Sequence, residues 1–476
     1  MSVGGVAFTV IAGLLLVVLP RRLAVIPLLL AAAYTTRLPV VELGPASLSA
    51  LRILVVVGIV RVLVRGERVA NGVNVIDALL FAWALLLVGS SAFHTPDAWT
   101  VRSGMVLGEV GVYVLCRIFI QDAEDVRRIF AVLCVVLLPL AILMLLEKHT
   151  AHNFFSIMGG TGEINIREGH VRAYGPFAHS ILAGTVGATC MAMAVAIWRM
   201  HRVSALLGLA AGAGIVFAST SSGPIMMVAF TSFALLLWKL RSVLSLVRWA
   251  TLAGIVALDI VMDAPVYFLM GRIDITGGSA GWHRAQLIRS SLEHLSEWWA
   301  VGTDYTRHWM ATGVPANSIH TDITNHFLAM GVLGGLPLLI LFALMLGVAF
   351  RAVGRAVRDN ERRSPTQAFL VWTLGAMLFG QVMNFWSISL FDQSISFFYL
   401  IVAAITAIQH PAVSVAKAGV SARTRRRKRK GRGVRVPAAV GMNDERRDFH
   451  DNSIGQPRGG ASAEPPLVSW PAEWRT

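Results

Sequence analysis

The sequence predicts an all-α, polytopic transmembrane helical bundle of about 11–13 spans with one long extracytoplasmic loop. Three observations carry this. Of 476 residues, 55% are hydrophobic and only 14% charged, whereas soluble domains carry about 25% charged residues. A soluble chain of this composition could not cover its surface with polar groups; a surface facing lipid should be apolar. Apolar runs near the ~20 residues that cross ~30 Å of hydrocarbon recur along the chain. Lys and Arg gather in the short connections on one side of those runs, as cytoplasmic loops do.

Taken in order, the apolar runs are 4–19, 23–36, 46–63, 76–92, 101–120, 127–146, 177–197, 203–220, 222–238, 248–268, 326–350, 367–385 and 391–409. The first two are short enough to form a hairpin or a single re-entrant unit. No basic stretch precedes 4–19, so it reads as a retained span and not a cleaved signal. No internal repeat suggests a transporter built from two related halves.

Orientation follows from the basic connections. Arg61, Arg65 and Arg68 mark one; Arg199 and Arg202 a second; Lys239, Arg241 and Arg248 a third; Arg351, Arg355, Arg358, Arg362 and Arg363 a fourth. Alternating spans put all four on the side of the basic tail, which is therefore predicted to be cytoplasmic, in a cytoplasmic (inner) membrane. Residues 1–410 form the membrane domain. Residues 411–476 read as a disordered basic tail, since their composition cannot build a packed core. Much of the net charge of +15 sits in its run 423–435. That run reads as a topology signal able to touch anionic lipid. No nucleic-acid-binding fold accompanies it, so nucleic acid is not an expected partner.

Two segments fall on the opposite side, 147–176 and 271–325. The second is the longest polar stretch between spans, and loops this long are functional or disordered. Its four tryptophans, Trp282, Trp298, Trp299 and Trp309, argue for order. Ile288, Leu292, Leu295 and Trp299 recur at helical spacing, so 283–299 reads as an amphipathic helix on the outer membrane surface.

Cys116, Cys134 and Cys190 lie in apolar runs without a disulfide framework. The informative side chains are basic. Arg37, Arg52, Arg102, Arg167, Arg172, Arg272, Arg284, Arg289 and Arg307 all map to the outer half, where positive-inside bias should deplete them. Together they suggest an anionic ligand, because guanidinium presents a planar fork of donors that suits phosphate. Glu109 lies midway along its run, a costly place for a carboxylate unless it is protonated or paired within the bundle. His283, His294, His308 and His320 gather on the outer loop, and His326 opens the next run. No HExxH and no tight ligand spacing accompanies them, so no metal centre is predicted, and one histidine acting as a base suits them better.

Four motifs carry a resemblance. RAYGPFAH, from Arg172 to His179, opens a run. STSSG, from Ser219 to Gly223, is a small polar turn between two runs. GWHR, from Gly281 to Arg284, precedes an amphipathic stretch and WWAVG ending at Gly302. HTDITNHFLAMG runs from His320 to Gly331. In this order the motifs resemble those of the O-antigen ligase and polymerase superfamily, over about 170–350, and 281–336 looks most like its exopolysaccharide-cluster branch. Ser222 and Gly223 stand where that family often has Arg, Thr321 where it usually has Asn, and Met330 near a common acid.

The resemblance implies a metal-independent glycosyltransferase without a cofactor. It would take a glycan from undecaprenyl diphosphate at the outer face of the cytoplasmic membrane. The acceptor would be a sugar hydroxyl, on a growing glycan for a polymerase or on a lipid core for a ligase; the exopolysaccharide-like branch favours the polymerase. His320 holds the family's base position. Arg172 and Arg284 match its donor motifs, with Arg289, Arg307 and His326 as further substrate-binding positions. The reading from another class is a polysaccharide-related transporter or flippase, which would call for internal repeats or a polar path through several spans.

Overall fold

Local sequence chemistry sets where the helices begin. The Ser2 hydroxyl accepts from Gly5 N at 3.2 Å, Asn74 and Asp77 form a reciprocal capping box, and Asp122, His179, Asn325 and Ser364 accept from backbone N–H groups of the first turn. Each side chain satisfies donors that the opening helix leaves without partners. The computed structural model describes residues 2–36, 41–43, 46–160, 162–272, 281–310 and 318–408. The basic tail, including 423–435, and Arg37 lie outside these residues.

The chain runs α1 (Val3–Val18), α2 (Arg21–Tyr34), β1 (Val41–Leu43) paired antiparallel with β2 (Ala46–Leu48), α3 (Ala50–Arg65), α4 (Val75–Gly89), α5 (Ala98–Phe119) and α6 (Ala123–Thr150). A two-residue hairpin follows, β3 (Ile166–Arg167) on β4 (His170–Val171), and then α7 (Ser180–Ile197), α8 (Arg202–Ser219), α9 (Ser222–Leu236) and α10 (Leu244–Val261). The long loop holds α11 (Leu269–Arg272), α12 (Gly281–Glu293) and α13 (Leu295–Trp298). The last helices are α14 (His326–Glu361), α15 (Pro365–Asn384) and α16 (Ile395–Ile408).

Every apolar run of the sequence falls on a helix, so the all-α, multi-pass reading holds. Among the described residues seven helical segments are long and apolar enough to cross a membrane: Val75–Phe93, Ala123–Thr150, Ser180–Ile197, Arg202–Ser219, Ser222–Val261, His326–Glu361 and Pro365–Asn384. Val3–Val18 and Ile395–Ile408 are shorter apolar helices. The gap from the 11–13 expected has physical causes. A 16-residue helix such as α1 or α3 rises only ~24 Å. Arg102, Glu109 and Arg117 make α5 too polar. A single 3₁₀ stretch, Leu237–Val243, makes α9 and α10 one continuous segment.

Close approaches by small residues seat the helices. A Cβ on Gly212 of α8 would lie 2.5 Å from the Gly187 carbonyl oxygen of α7. An aromatic cluster, Phe342, Phe385, Phe398 and Tyr399, fills the core. At one end of the bundle, arginines of the basic connections bond helix-terminal carbonyls and carboxylates. Arg21 reaches Phe119 O at 2.7 Å and Asp125 at 3.3 Å, Arg65 reaches Val17 O at 2.7 Å, and Arg241 pairs with Glu361 at 2.6 Å. The other end carries the described residues of the segments 147–176 and 262–325 and the turns 219–221 and 385–394.

One element departs from its apparent regularity. α14 is broken at Gly334 and Gly335, the latter at φ 76° and ψ −176°, a region essentially closed to residues with a Cβ. The break frees backbone groups that the long loop then takes up: Thr303 N donates to Val332 O at 2.9 Å and Leu336 N to Trp299 O at 2.8 Å. The loop is thereby hung on a spanning helix. Beneath it lies a satellite apolar cluster of Leu287, Trp298, Trp309, Met310, Leu328 and Val332.

The amphipathic stretch also differs from its sequence reading. It divides into α12 and α13, and it buries Ala285, Leu287, Ser291 and Trp298, while Leu292 and Trp299 are exposed. The interruption at His294 shifts the helical register, so spacing counted across it does not describe one face.

Candidate functional site

The site is built around Arg172. Glu168 and Gly169 both take positive φ, 53° and 76°, as a two-residue hairpin turn of the primed type requires. That turn pairs Ile166 with Val171 and Arg167 with His170, and Arg172 follows directly. Its backbone is fixed by Arg172 N to Asn165 O, 2.8 Å, and by Ala173 N to Ala218 O at the end of α8, 3.1 Å.

The Arg172 guanidinium is buried. One terminal nitrogen donates to Ser221 Oγ at 2.7 Å, while its Nε has no hydrogen-bond partner among the described residues. Buried donors left over in this way call for an explanation, and a ligand is one. Ser221 Oγ in turn donates to Ser219 O at 2.8 Å and lies 3.3 Å from Ser180 Oγ. The small polar turn singled out in the sequence therefore holds the arginine singled out beside it.

Arg284 of α12 comes to the same place. Its Nε donates to Ser387 O at 3.1 Å, in the turn between α15 and α16. Gly223 packs against that turn, where a Cβ would lie 2.9 Å from Ser387 Oγ. The cations feel one another. Burial first, then the guanidinium groups of Arg167 and Arg284, pull Arg172 below its ordinary range. Burial and then Arg167 do the same to Arg284, against the opposing charge of Asp322. His179 is pushed down to about 4 by burial, Arg172 and Arg167. Its ring is therefore neutral near pH 7, and because Nδ1 accepts from Ile181 N at 3.1 Å, its proton sits on Nε2. Three guanidinium groups and a neutral imidazole donor thus gather here, the donor chemistry that suits an oxyanion with several oxygens.

His320 stands beside this cluster along the chain, two residues before Asp322. Its Nδ1 lies 3.4 Å from Thr306 Oγ1, which also accepts from Thr321 N at 3.1 Å. Burial lowers the His320 pKa, with Asp304 opposing. A proton on Nδ1, donated to the Thr306 hydroxyl, leaves Nε2 as a free base. Burial holds the Asp322 carboxyl above its ordinary range, against the opposing charges of His283 and Arg284. Among the described residues no hydrogen bond or ion pair links His320 directly to Arg172 or Arg284.

The other sequence candidates are distributed differently. Arg289 pairs with Glu293 at 2.9 Å on an exposed turn of α12. Arg307 lies in the one-turn 3₁₀ helix Arg307–Trp309, its backbone N donating to Ile319 O at 3.1 Å. His326 is buried at the start of α14, its ring 4.6 Å from that of Phe385, with Nδ1 accepting from Leu390 N at 3.3 Å. Glu109 accepts from the Tyr399 hydroxyl at 3.0 Å, a paired carboxylate inside the bundle.

Some residues were not legible in advance. Lys148, at the end of α6, donates to Val171 O at 3.3 Å and to the Thr220 hydroxyl. It thus ties the end of α6 to the strand and the turn that flank Arg172 and Ser221. His94 and Asp304 pair at 2.7 Å, tying the α4–α5 connection to the long loop. His294, Glu297 and His308 converge, with donor atoms within 4.8 Å of one another. A clue existed for Lys148, a charge at the end of an apolar run, and for His294 and His308, two of the histidines gathered on the outer loop; none existed for Glu297 or for the His94–Asp304 pair. No family model matches the chain, and no curated protein matches it.

Proposed function

We propose that this chain is a membrane glycosyltransferase. It transfers an undecaprenyl-diphosphate-linked glycan to a sugar hydroxyl at the outer face of the cytoplasmic membrane, as an exopolysaccharide or O-antigen polymerase. The observation that carries the reading is the cluster of Arg167, Arg172 and Arg284, with a buried Arg172 donor left over. Such a cluster answers a diphosphate leaving group. The arginine-rich connections at the opposite end of the helices favour an extracytoplasmic site under the positive-inside bias.

The acceptor hydroxyl gives its proton to Nε2 of His320 as its oxygen bonds to the anomeric carbon of the donor glycan. The bond from that carbon to the diphosphate oxygen breaks, and undecaprenyl diphosphate leaves with the electron pair. Its added charge is taken up by the guanidinium groups. One base and one electrostatic sink suffice, so the transfer step asks for no metal.

The test uses membranes carrying His320→Ala or Arg172→Ala, with Arg289→Ala as control and protein levels matched. Loss of a positioned base costs typically 10²–10⁴-fold. His320→Ala is expected to stop polymer formation and accumulate lipid-linked donor, while Arg289→Ala stays near wild type. Wild-type transfer in both His320→Ala and Arg172→Ala would overturn the reading.

A further inference from the structure

His294, Glu297 and His308 belong to no part of the transfer chemistry, yet the fold brings them together from two stretches of the long loop, 294–297 and 307–309. His294 follows α12, Glu297 lies within α13, and His308 sits in the turn Arg307–Trp309. One donor atom from each lies within 4.8 Å of the other two. We propose that these three side chains form a binding site for a divalent transition metal of the zinc class, which clamps the long loop.

The side chains are prepared for this role. His294 Nδ1 lies 2.8 Å from Ser290 O. A carbonyl only accepts, so the ring proton is on Nδ1 and the lone pair is on Nε2. A metal-binding histidine almost always donates its second nitrogen in this way, which fixes tautomer and ring angle. Glu297 Oε2 accepts from the Trp309 indole at 3.1 Å, a matching support for a ligating carboxylate. His308 Nε2 lies 2.9 Å from the same oxygen. Its ring is stacked on Tyr305 at 5.1 Å and set edge-on to His294 at 5.0 Å.

An ion pair would need only His308 and Glu297, and an exposed pair of that kind adds little to stability. The third donor, held in a metal-ready tautomer, is what that pairing leaves unexplained. Two imidazoles and one carboxylate are a zinc-type ligand set, with water completing the coordination. Tetrahedral zinc sets its donors roughly 3.3 Å apart, so binding draws donors that lie within 4.8 Å of one another together by at most ~1.5 Å. The clamp would join α12, α13 and the 303–309 turn. Trp298 anchors that assembly, packed so tightly on Gly331 of α14 that a Cβ there would lie 2.5 Å from its ring. Thr306, in the same turn, is the hydroxyl partner of His320.

The experiment uses the full-length protein, purified in nanodiscs, stripped with EDTA, desalted and titrated with Zn²⁺ by calorimetry. One equivalent is expected to bind. His294→Ala, Glu297→Gln and His308→Ala should each weaken binding at least tenfold, and a His149→Ala/His152→Ala control should not. A second readout needs no variant. Zn²⁺ should shield His294 and His308 of the wild-type protein from acylation by diethyl pyrocarbonate, scored by peptide mapping, while the exposed His170 stays reactive. Absence of saturable binding at micromolar Zn²⁺, equal binding in the three variants, or acylation unaffected by Zn²⁺ would overturn the proposal.

Discussion

Arg172 gives one donor to Ser221 and keeps a buried Nε without a partner, so its value lies in fork geometry as much as in charge. Arg172→Lys preserves the charge and removes the fork. Hydrogen bonds to charged groups contribute about 1.5–3 kcal/mol, so transfer in membranes should fall roughly ten- to hundredfold with normal protein levels. Unchanged transfer would leave only a charge requirement. In the proposed mechanism His320 sets the pH response. Its pKa lies below the ordinary 6.5 because burial disfavours the charged ring. The free-base form is therefore present at neutral pH and is lost only as pH falls through that lowered value. The acid limb of the wild-type rate profile should accordingly have its midpoint below 6.5. Sequence alone could single out Arg172, Arg284 and His320 because each stands in a motif with fixed neighbours. It could not separate Arg289 from them, because a helix face is decided by packing, and packing turned Arg289 outward to Glu293.

α14 shows what an element can hide. As a run of apolar letters, 326–350 reads as an unbroken span, and nothing local marks Gly334 and Gly335 as a break and not as small packing residues. The break is required because Val332 O and Leu336 N are committed to the loop at Thr303 and Trp299. A Cβ on Gly335 would lie 2.5 Å from the Ala300 carbonyl carbon and oxygen, and the residue's φ of 76° disfavours any side chain. Gly335→Ala should therefore loosen the loop by at least the ~1–3 kcal/mol of a strained backbone position. Hydrogen exchange would register this as faster exchange at the Thr303 and Leu336 amides, with the rest of α14 little changed. Equal protection would mean that the loop is held elsewhere. The same limit explains α12 and α13, where a register counted through His294 missed the buried Leu287 and Trp298.

At the scale of the whole molecule, the helical nature of the chain was fully legible, since composition and run length obey the bilayer's demand for internally satisfied backbone. The number of crossings was not, because it depends on helix ends and on charges within helices. Sidedness is open to a direct measurement. Ser296 lies exposed in α13 and Ser242 exposed in the 3₁₀ stretch Leu237–Val243 that joins α9 and α10, while Cys116, Cys134 and Cys190 are all buried. Single cysteines at those two positions, in a background lacking the native three, should be labelled differently in intact cells. An impermeant thiol reagent is expected to reach position 296 and not 242; the reverse pattern would invert the topology and remove the extracytoplasmic site.

The bonds that complete the end of the bundle holding Arg172 and Arg284 also impose an order in time. Ala178 N awaits Asp392, which is 214 residues later in the chain, and Arg284 awaits Ser387, 103 residues later. At ~5–20 residues per second of synthesis, the first of these gaps lasts roughly 10–40 s. Throughout that interval the nascent protein holds Arg172 and its neighbours at the membrane surface without the α15–α16 turn that closes over them. Assembly therefore cannot proceed helix by helix to a finished site. The polar end of the bundle stays open to water and lipid headgroups until the last helix of the membrane domain has left the ribosome.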